Sequence, residues 1–79
     1  VAHRSDSYST LGRAIREHRG RLGLSQAQLA TRSGLDRAYF SSIERGERRP
    51  SYGRVLDIAQ ALGLTGAELV EHAERGGDG

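Results

Sequence analysis

The stretch SQAQLATRSGLDRAYFSSIERG, residues 25–46, decides the fold. It reads as two short helices joined by a tight turn, over about 26–33 and 37–45. Ser25 can cap the first helix, because its hydroxyl accepts from an otherwise orphaned N–H and the Gln-Ala-Gln-Leu-Ala run behind it propagates well. Gly34 supplies the left-handed residue that ends a helix. Asp36 can cap the second helix, which runs to Gly46. Leu29, Ala30, Leu35, Phe40 and Ile43 are expected inward, with Ala30 small where two helices cross. Arg37, Ala38, Ser41 and Ser42 are expected outward, on a face of small or hydrogen-bonding side chains. A helix-turn-helix reader of DNA needs that combination of a rigid crossing behind and a groove-compatible face in front.

Working outward, residues 1–7 carry no apolar period and are expected to form a flexible N-terminal arm. A first helix should start near Ser7 or Ser9 and run to Leu22, since Leu11, Ile15, His18 and Leu22 fall at helical spacing. His18 is expected at the edge of the core and not as a ligand, because no second metal-binding residue lies at i+3 or i+4. After Gly46 comes a basic loop, Glu47-Arg48-Arg49-Pro50. Ser51 should cap a fourth helix over about 52–62, whose Val55, Leu56, Ile58, Ala59 and Leu62 make an apolar face wider than one seam needs. Thr65 and Glu68 form a T-x-x-E capping box for a fifth helix over about 66–74, with Leu69, Val70 and Ala73 inward. The glycine-rich residues 76–79 are expected to be a disordered tail, which leaves residues 8–75 as the domain. No strand pattern is present, so the expected fold is all-α, a five-helix bundle.

The 79 residues include no cysteine, so neither a disulfide frame nor a thiolate metal site is available. No apolar run approaches membrane-spanning length and no signal-peptide core is visible, which makes a soluble cytoplasmic protein the expectation. All the basic residues are Arg. Residues 1–54 hold eleven Arg against five acids, a net of +6, whereas residues 55–79 hold one Arg against five acids, a net of −4. A basic half that carries the helix-turn-helix suits a polyanion, although a solvated mixed-charge surface would look the same by charge alone. Enzyme chemistry finds no support. His3, His18 and His72 lack H-E-x-x-H spacing, there is no cysteine nucleophile or Gly-rich phosphate loop, and no cofactor or metal is implied.

At the start of the helix over about 37–45, the Arg37 guanidinium can make two hydrogen bonds to guanine O6 and N7, the alternatives being a phosphate contact or a solvated Arg. Ala38 can offer a methyl against a thymine methyl. Ser41 and Ser42 can donate or accept, with modest discrimination. Arg45, Arg48 and Arg49 flank the end of that helix and suit phosphate, with base or minor-groove reading as the lesser option for Arg48 and Arg49. Tyr39 can pack its ring at the core edge.

The residues Leu11-Gly12, Ile15-Arg16, Arg19, Gly23-Leu24-Ser25-Gln26, Leu29-Ala30, Gly34-Leu35, Ile43-Glu44-Arg45-Gly46, Pro50 and Ala61-Leu62-Gly63-Leu64 resemble the Xre/Cro family of helix-turn-helix regulators. That is the family of the lambdoid phage repressors. Within it, the run Leu35-Asp36-Arg37-Ala38-Tyr39-Phe40-Ser41 followed by Ile43-Glu44-Arg45 is most similar to the controller proteins of restriction–modification systems. It departs from them at Ala38, where Thr is usual, at Phe40 for Ile, and at Arg49-Pro50. The resemblance implies a lambda-repressor-like fold and a sequence-specific DNA-binding transcriptional regulator that binds a palindromic operator as a homodimer. It implies that Gln26 touches the DNA backbone, that the Tyr39 hydroxyl reaches a phosphate unless the ring packs at the core edge, that Ser42 matches a base-contacting position, and that Glu44 pairs with Arg19 and does not touch DNA. Helices four and five would then supply the dimer interface through Val55, Leu56, Leu69 and Val70, unless these are plain core. Two other functions fit the same pattern: the antitoxin or repressor of a toxin–antitoxin pair, and a protein-interaction bundle that does not bind DNA. An activator would also touch RNA polymerase, and no residue identifies such a patch.

Overall fold

Side-chain caps divide the chain into its elements. In a computed structural model, which describes residues 4–78 and the side chains of 8–75, the order is α1 (Arg4–Arg21), α2 (Gln26–Ser33), α3 (Arg37–Glu44), α4 (Tyr52–Ala61) and α5 (Gly66–Asp78). The Ser25 hydroxyl accepts from the N–H of Gln28, and the Gln28 amide oxygen accepts in turn from the N–H of Ser25. Gln28 therefore closes a capping box that the sequence reading had not assigned to it. The Asp36 carboxylate accepts from the N–H groups of Ala38 and Tyr39, Ser51 accepts from Arg54, and Thr65 and Glu68 make the expected reciprocal pair. Gly34 turns the chain between α2 and α3 at φ 73°, a conformation that costs a side chain with a Cβ.

Both outer helices are longer than their sequence suggested. α1 begins at Arg4, inside the expected arm, because no Gly or Pro interrupts residues 4–11. α5 continues to Asp78, into the expected tail: each glycine there costs about 1 kcal/mol, but extending a formed helix gains one hydrogen bond per residue. Residues 1–3 of the expected arm and Gly79 of the expected tail lie outside the described residues. Among the described residues there is no strand, and no helix is long and apolar enough to cross a membrane.

The core is one cluster to which every helix contributes: Ala14 and Ile15, Leu29 and Ala30, Phe40 and Ile43, Ile58, Ala59 and Leu62, Leu69 and Ala73. Leu69 is fully buried there, which removes it from the expected dimer interface: it points at α1 and the core while Val70, one residue on, points away. Leu22 is exposed instead of inward, because α1 ends one residue before it. α1 crosses the end of α3 at Gly12. A Cβ there would stand 2.3 Å from the Glu44 carbonyl oxygen and 2.7 Å from that of Ile43, so only glycine permits this approach.

The same crossing carries a buried ion pair. The Glu44 side chain is 1% exposed. Arg19 reaches it from α1 with two donors, Nε to Oε2 at 2.6 Å and Nη2 to Oε1 at 3.0 Å. Gln26 reaches it from α2, with Nε2 2.8 Å from Oε1. A third Arg19 donor, Nη1, bonds the Leu24 carbonyl 3.0 Å away. One carboxylate thus joins α1, α2 and α3, and the planar Arg fork suits it in a way Lys would not.

α5 lies along α1, and there the rings of His18 and His72 meet edge to face with centroids 4.5 Å apart. Burial holds the His18 pKa below its ordinary value of 6.5, and the nearby His72 and Arg21 lower it further against the opposing pull of Glu17.

Two predictions follow from this packing. Arg19→Ala or Glu44→Ala leaves the other charge buried and unpaired and should cost about 3–5 kcal/mol in urea unfolding. The double replacement Arg19→Met/Glu44→Leu should recover much of that loss. A single-substitution cost below about 1 kcal/mol would show the pair to be dispensable. For His18, the unfolded chain takes up its proton near pH 6.5 while the folded chain does so only at lower pH. Unfolding then binds protons, so stability is full above pH 6.5 and falls as the pH drops through the lowered folded value. His18→Gln should flatten that part of the stability–pH profile, and an unchanged slope would refute the coupling.

Candidate nucleic-acid interface

With Glu44 drawn inward, the opposite side of α3 is left to donors. Arg37 and Ala38, the first two residues of α3, are exposed because Asp36 caps the helix immediately before them. Together with Ser41 and Arg45, one and two turns further along, they line an open concavity that Gln26 of α2 closes on one side. Gln26 is fixed by its bond to Glu44, which uses one of its two amide hydrogens and leaves the second to a ligand. Five of the residues expected at the DNA, Gln26, Arg37, Ala38, Ser41 and Arg45, are therefore brought together from α2 and α3.

Ser42 does not join them. Expected to face outward beside Ser41, it is buried, and its hydroxyl donates to the Tyr39 carbonyl at 2.6 Å. The 100° step from Ser41 turns it toward the body of the protein, and its polar group is consumed by its own helix. The expected outward position of Ser42 is corrected accordingly.

The Arg side chains after α3 are each held by a neighbour. Arg45 donates to the Ser41 hydroxyl and, 3.1 Å away, to Glu47. The hydrogen bond and charge of Glu47 raise the Arg45 pKa, and Arg45 lowers that of Glu47 in the same way. The Arg48 guanidinium stands over the Tyr39 ring, 5.9 Å from its centroid. Arg49 stands over the ring of Tyr8, 5.4 Å from the centroid, and its Nε donates to the Tyr8 hydroxyl. Ring faces attract guanidinium groups, so both tyrosines orient a cation without neutralising it. Tyr8 lies 41 residues from Arg49, and no local spacing in the sequence connects the two. Asp36, Ala38, Tyr39, Ser42, Arg45, Glu47 and Arg48 line a second open concavity beside the first.

On the α4–α5 side, Leu56 and Val70 are 37% and 43% exposed and Val55 is half-buried against the core. Tyr52, 79% exposed, joins them with Gly66 and Ala67 in a shallow apolar groove. Tyr52 sits four residues before Leu56, a spacing that could have revealed it had aromatics been counted with the aliphatic face. Among the described residues no group of three or more His, Cys, Asp or Glu side chains could hold a metal ion.

The family of the helix-turn-helix domain matches residues 10–72. An uncharacterised HTH-type transcriptional regulator of Sinorhizobium fredii, y4dJ, is 46% identical over 48 residues, which cover 61% of this chain and 62% of the relative. Another curated relative of this kind is spanned over only 31% of its length. The crystal structure of the restriction–modification controller protein C.AhdI from Aeromonas hydrophila superposes with a TM-score of 0.76 at 44% identity, covering 78% of this chain and 94% of that one. The controller C.Esp1396I, solved as a tetramer in complex with its natural 35 base-pair operator, superposes with a TM-score of 0.84 at 27% identity, covering 92% and 96%. From the family match over most of its length, and from a lambda-repressor-like arrangement shared with these structures, the chain belongs to the Xre-type helix-turn-helix family.

Proposed function

We propose that the chain is a sequence-specific DNA-binding transcriptional regulator that reads a palindromic operator as a homodimer, with α3 in the major groove. One observation carries this reading: the sole acid within α3, Glu44, is locked inward by Arg19 and Gln26, while Arg37, Ala38, Ser41 and Arg45 share the outward concavity. Arg37, Ala38 and Ser41 read base edges. Gln26, Tyr39, Arg48 and Arg49 hold phosphates; Arg45, expected at phosphate, is held instead by Ser41 and Glu47 at the boundary of the two sets. Phosphate contacts set the register, and base contacts set the sequence. The operator complex of C.Esp1396I supports a duplex as the partner, and the controller relatives support a restriction–modification controller as the specific role. The protein acts in the cytoplasm and catalyses nothing; any activation would need a contact with RNA polymerase in addition.

The apolar groove of Tyr52, Leu56 and Val70 is the dimer interface of this reading. A two-fold pair places its recognition helices about 34 Å apart, one turn of B-DNA.

Selection from randomised duplexes should enrich a short palindrome, and an unenriched pool would overturn the reading. Arg37→Ala should lose about 1–3 kcal/mol of discrimination at one base pair per half-site. Arg49→Ala should weaken all duplexes alike and lower the salt slope by about one. Val70→Glu, at an exposed position, should leave the helical content intact and shift sedimentation from dimer to monomer; a persisting dimer would exclude the groove as the interface.

A further inference from the structure

Three carboxylates lie in or beside α3, and only two have duties inside the fold. Asp36 caps the helix and Glu44 is buried under Arg19. Glu47 has its carboxylate in the open, 60% exposed, on the face that the proposed function assigns to a polyanion. An acid there repels phosphate, and nothing in the core needs it.

Its place is nevertheless built. The chain leaves α3 through Gly46 at φ 75°, with the Gly46 N–H bonded to the Ile43 carbonyl and the Glu47 N–H bonded to the Ser42 carbonyl, 2.9 Å away. This is a Schellman turn, and it fixes the backbone of Glu47 beside the helix end. From that position the carboxylate accepts from Arg45 Nη2 at 3.1 Å, while Arg45 Nη1 donates to Ser41. The guanidinium is thus stretched between a serine of the first concavity and an acid of the second.

Resting on the DNA-binding reading, we propose that Glu47 is a positioning residue that sets sequence specificity by holding Arg45 against Ser41 and away from the phosphate backbone. The carboxylate occupies the place on Arg45 that a phosphate oxygen would take. On a matched duplex, Arg37, Ala38 and Ser41 fix the protein against the bases, and Arg45 stays in the concavity with them. On an unmatched duplex no base contact fixes the protein, and affinity comes from whichever cations reach phosphate. Glu47 withholds one of those cations. It penalises the wrong partner and leaves the right one untouched.

The test measures affinity against salt for two duplexes, the palindrome recovered by selection and a duplex of the same composition in shuffled order. Glu47→Gln should tighten the shuffled duplex about threefold or more near physiological salt and steepen its salt slope by about 0.9, the value of one added phosphate contact. The selected duplex should change by less than twofold, so the specificity ratio falls. In an Arg45→Ala background Glu47→Gln should no longer steepen the slope. Glu71→Gln, which removes an equal charge from exposed α5, should leave the ratio unchanged. Equal tightening of both duplexes, an unmoved slope, or an effect that persists without Arg45 would overturn the proposal. A wild-type protein that prefers no duplex overturns the DNA-binding reading and this inference with it, whereas a wild-type preference that Glu47→Gln does not erode overturns this inference alone.

Discussion

The carboxylate of Glu44 is the point on which the structure turns. A charge removed from water is tolerated only when its oxygens are fully bonded. Here Arg19 and Gln26 supply three donors from two other helices, and among the described residues no buried side-chain nitrogen or oxygen lacks a partner. The geometry admits little alternative, since the donors come from separate helices and must converge on one group. Gly12 makes the convergence sterically feasible by letting α1 approach the last carbonyls of α3, where Arg16 also reaches the Glu44 carbonyl oxygen at 3.4 Å. The one acid within α3 is thereby kept off the outward side of that helix, and the same buried group ties the three helices together.

The cations around α3 follow a related logic. Arg48 and Arg49 are steadied by tyrosine rings, which orient a guanidinium and leave its charge available. Arg45 is steadied by an acid, which does not. The face therefore presents cations of two kinds, some ready for any polyanion and one committed to a local partner. Family membership sets the architecture on which this is built; the controller structures share the fold, and the restraint on each arginine comes from the side chain beside it.

The far side of the molecule is chemically different. α4 and α5 carry half of the chain's acids but none of its cations except Arg54 and Arg75, and a shallow apolar groove in which Tyr52, Leu56 and Val70 remain in solvent. Adjacent residues on α5 take opposite fates: Leu69 is core and Val70 is surface. Hydropathy cannot separate them, because both are aliphatic. The 100° rotation between neighbours on a helix separates them once α1 defines which side is inward.

Local features were legible in the residues alone. Serine, aspartate and threonine caps, the left-handed glycine of the turn, and the apolar period act over four residues or fewer, so their chemistry is written in the order of the chain. They suffice for five helices, for a helix-turn-helix, and for an outward Arg37 and Ala38. The resemblance to the Xre/Cro family also implied the Arg19–Glu44 pair. Other relationships required the folded chain. The inward turn of Ser42, the bond of Gln26 to Glu44, the meeting of His18 with His72 and the support of Arg49 by Tyr8 depend on how helices rotate and cross. Those angles come from packing a shared core. No short window of sequence contains them, because the groups involved meet only after distant segments have been brought together.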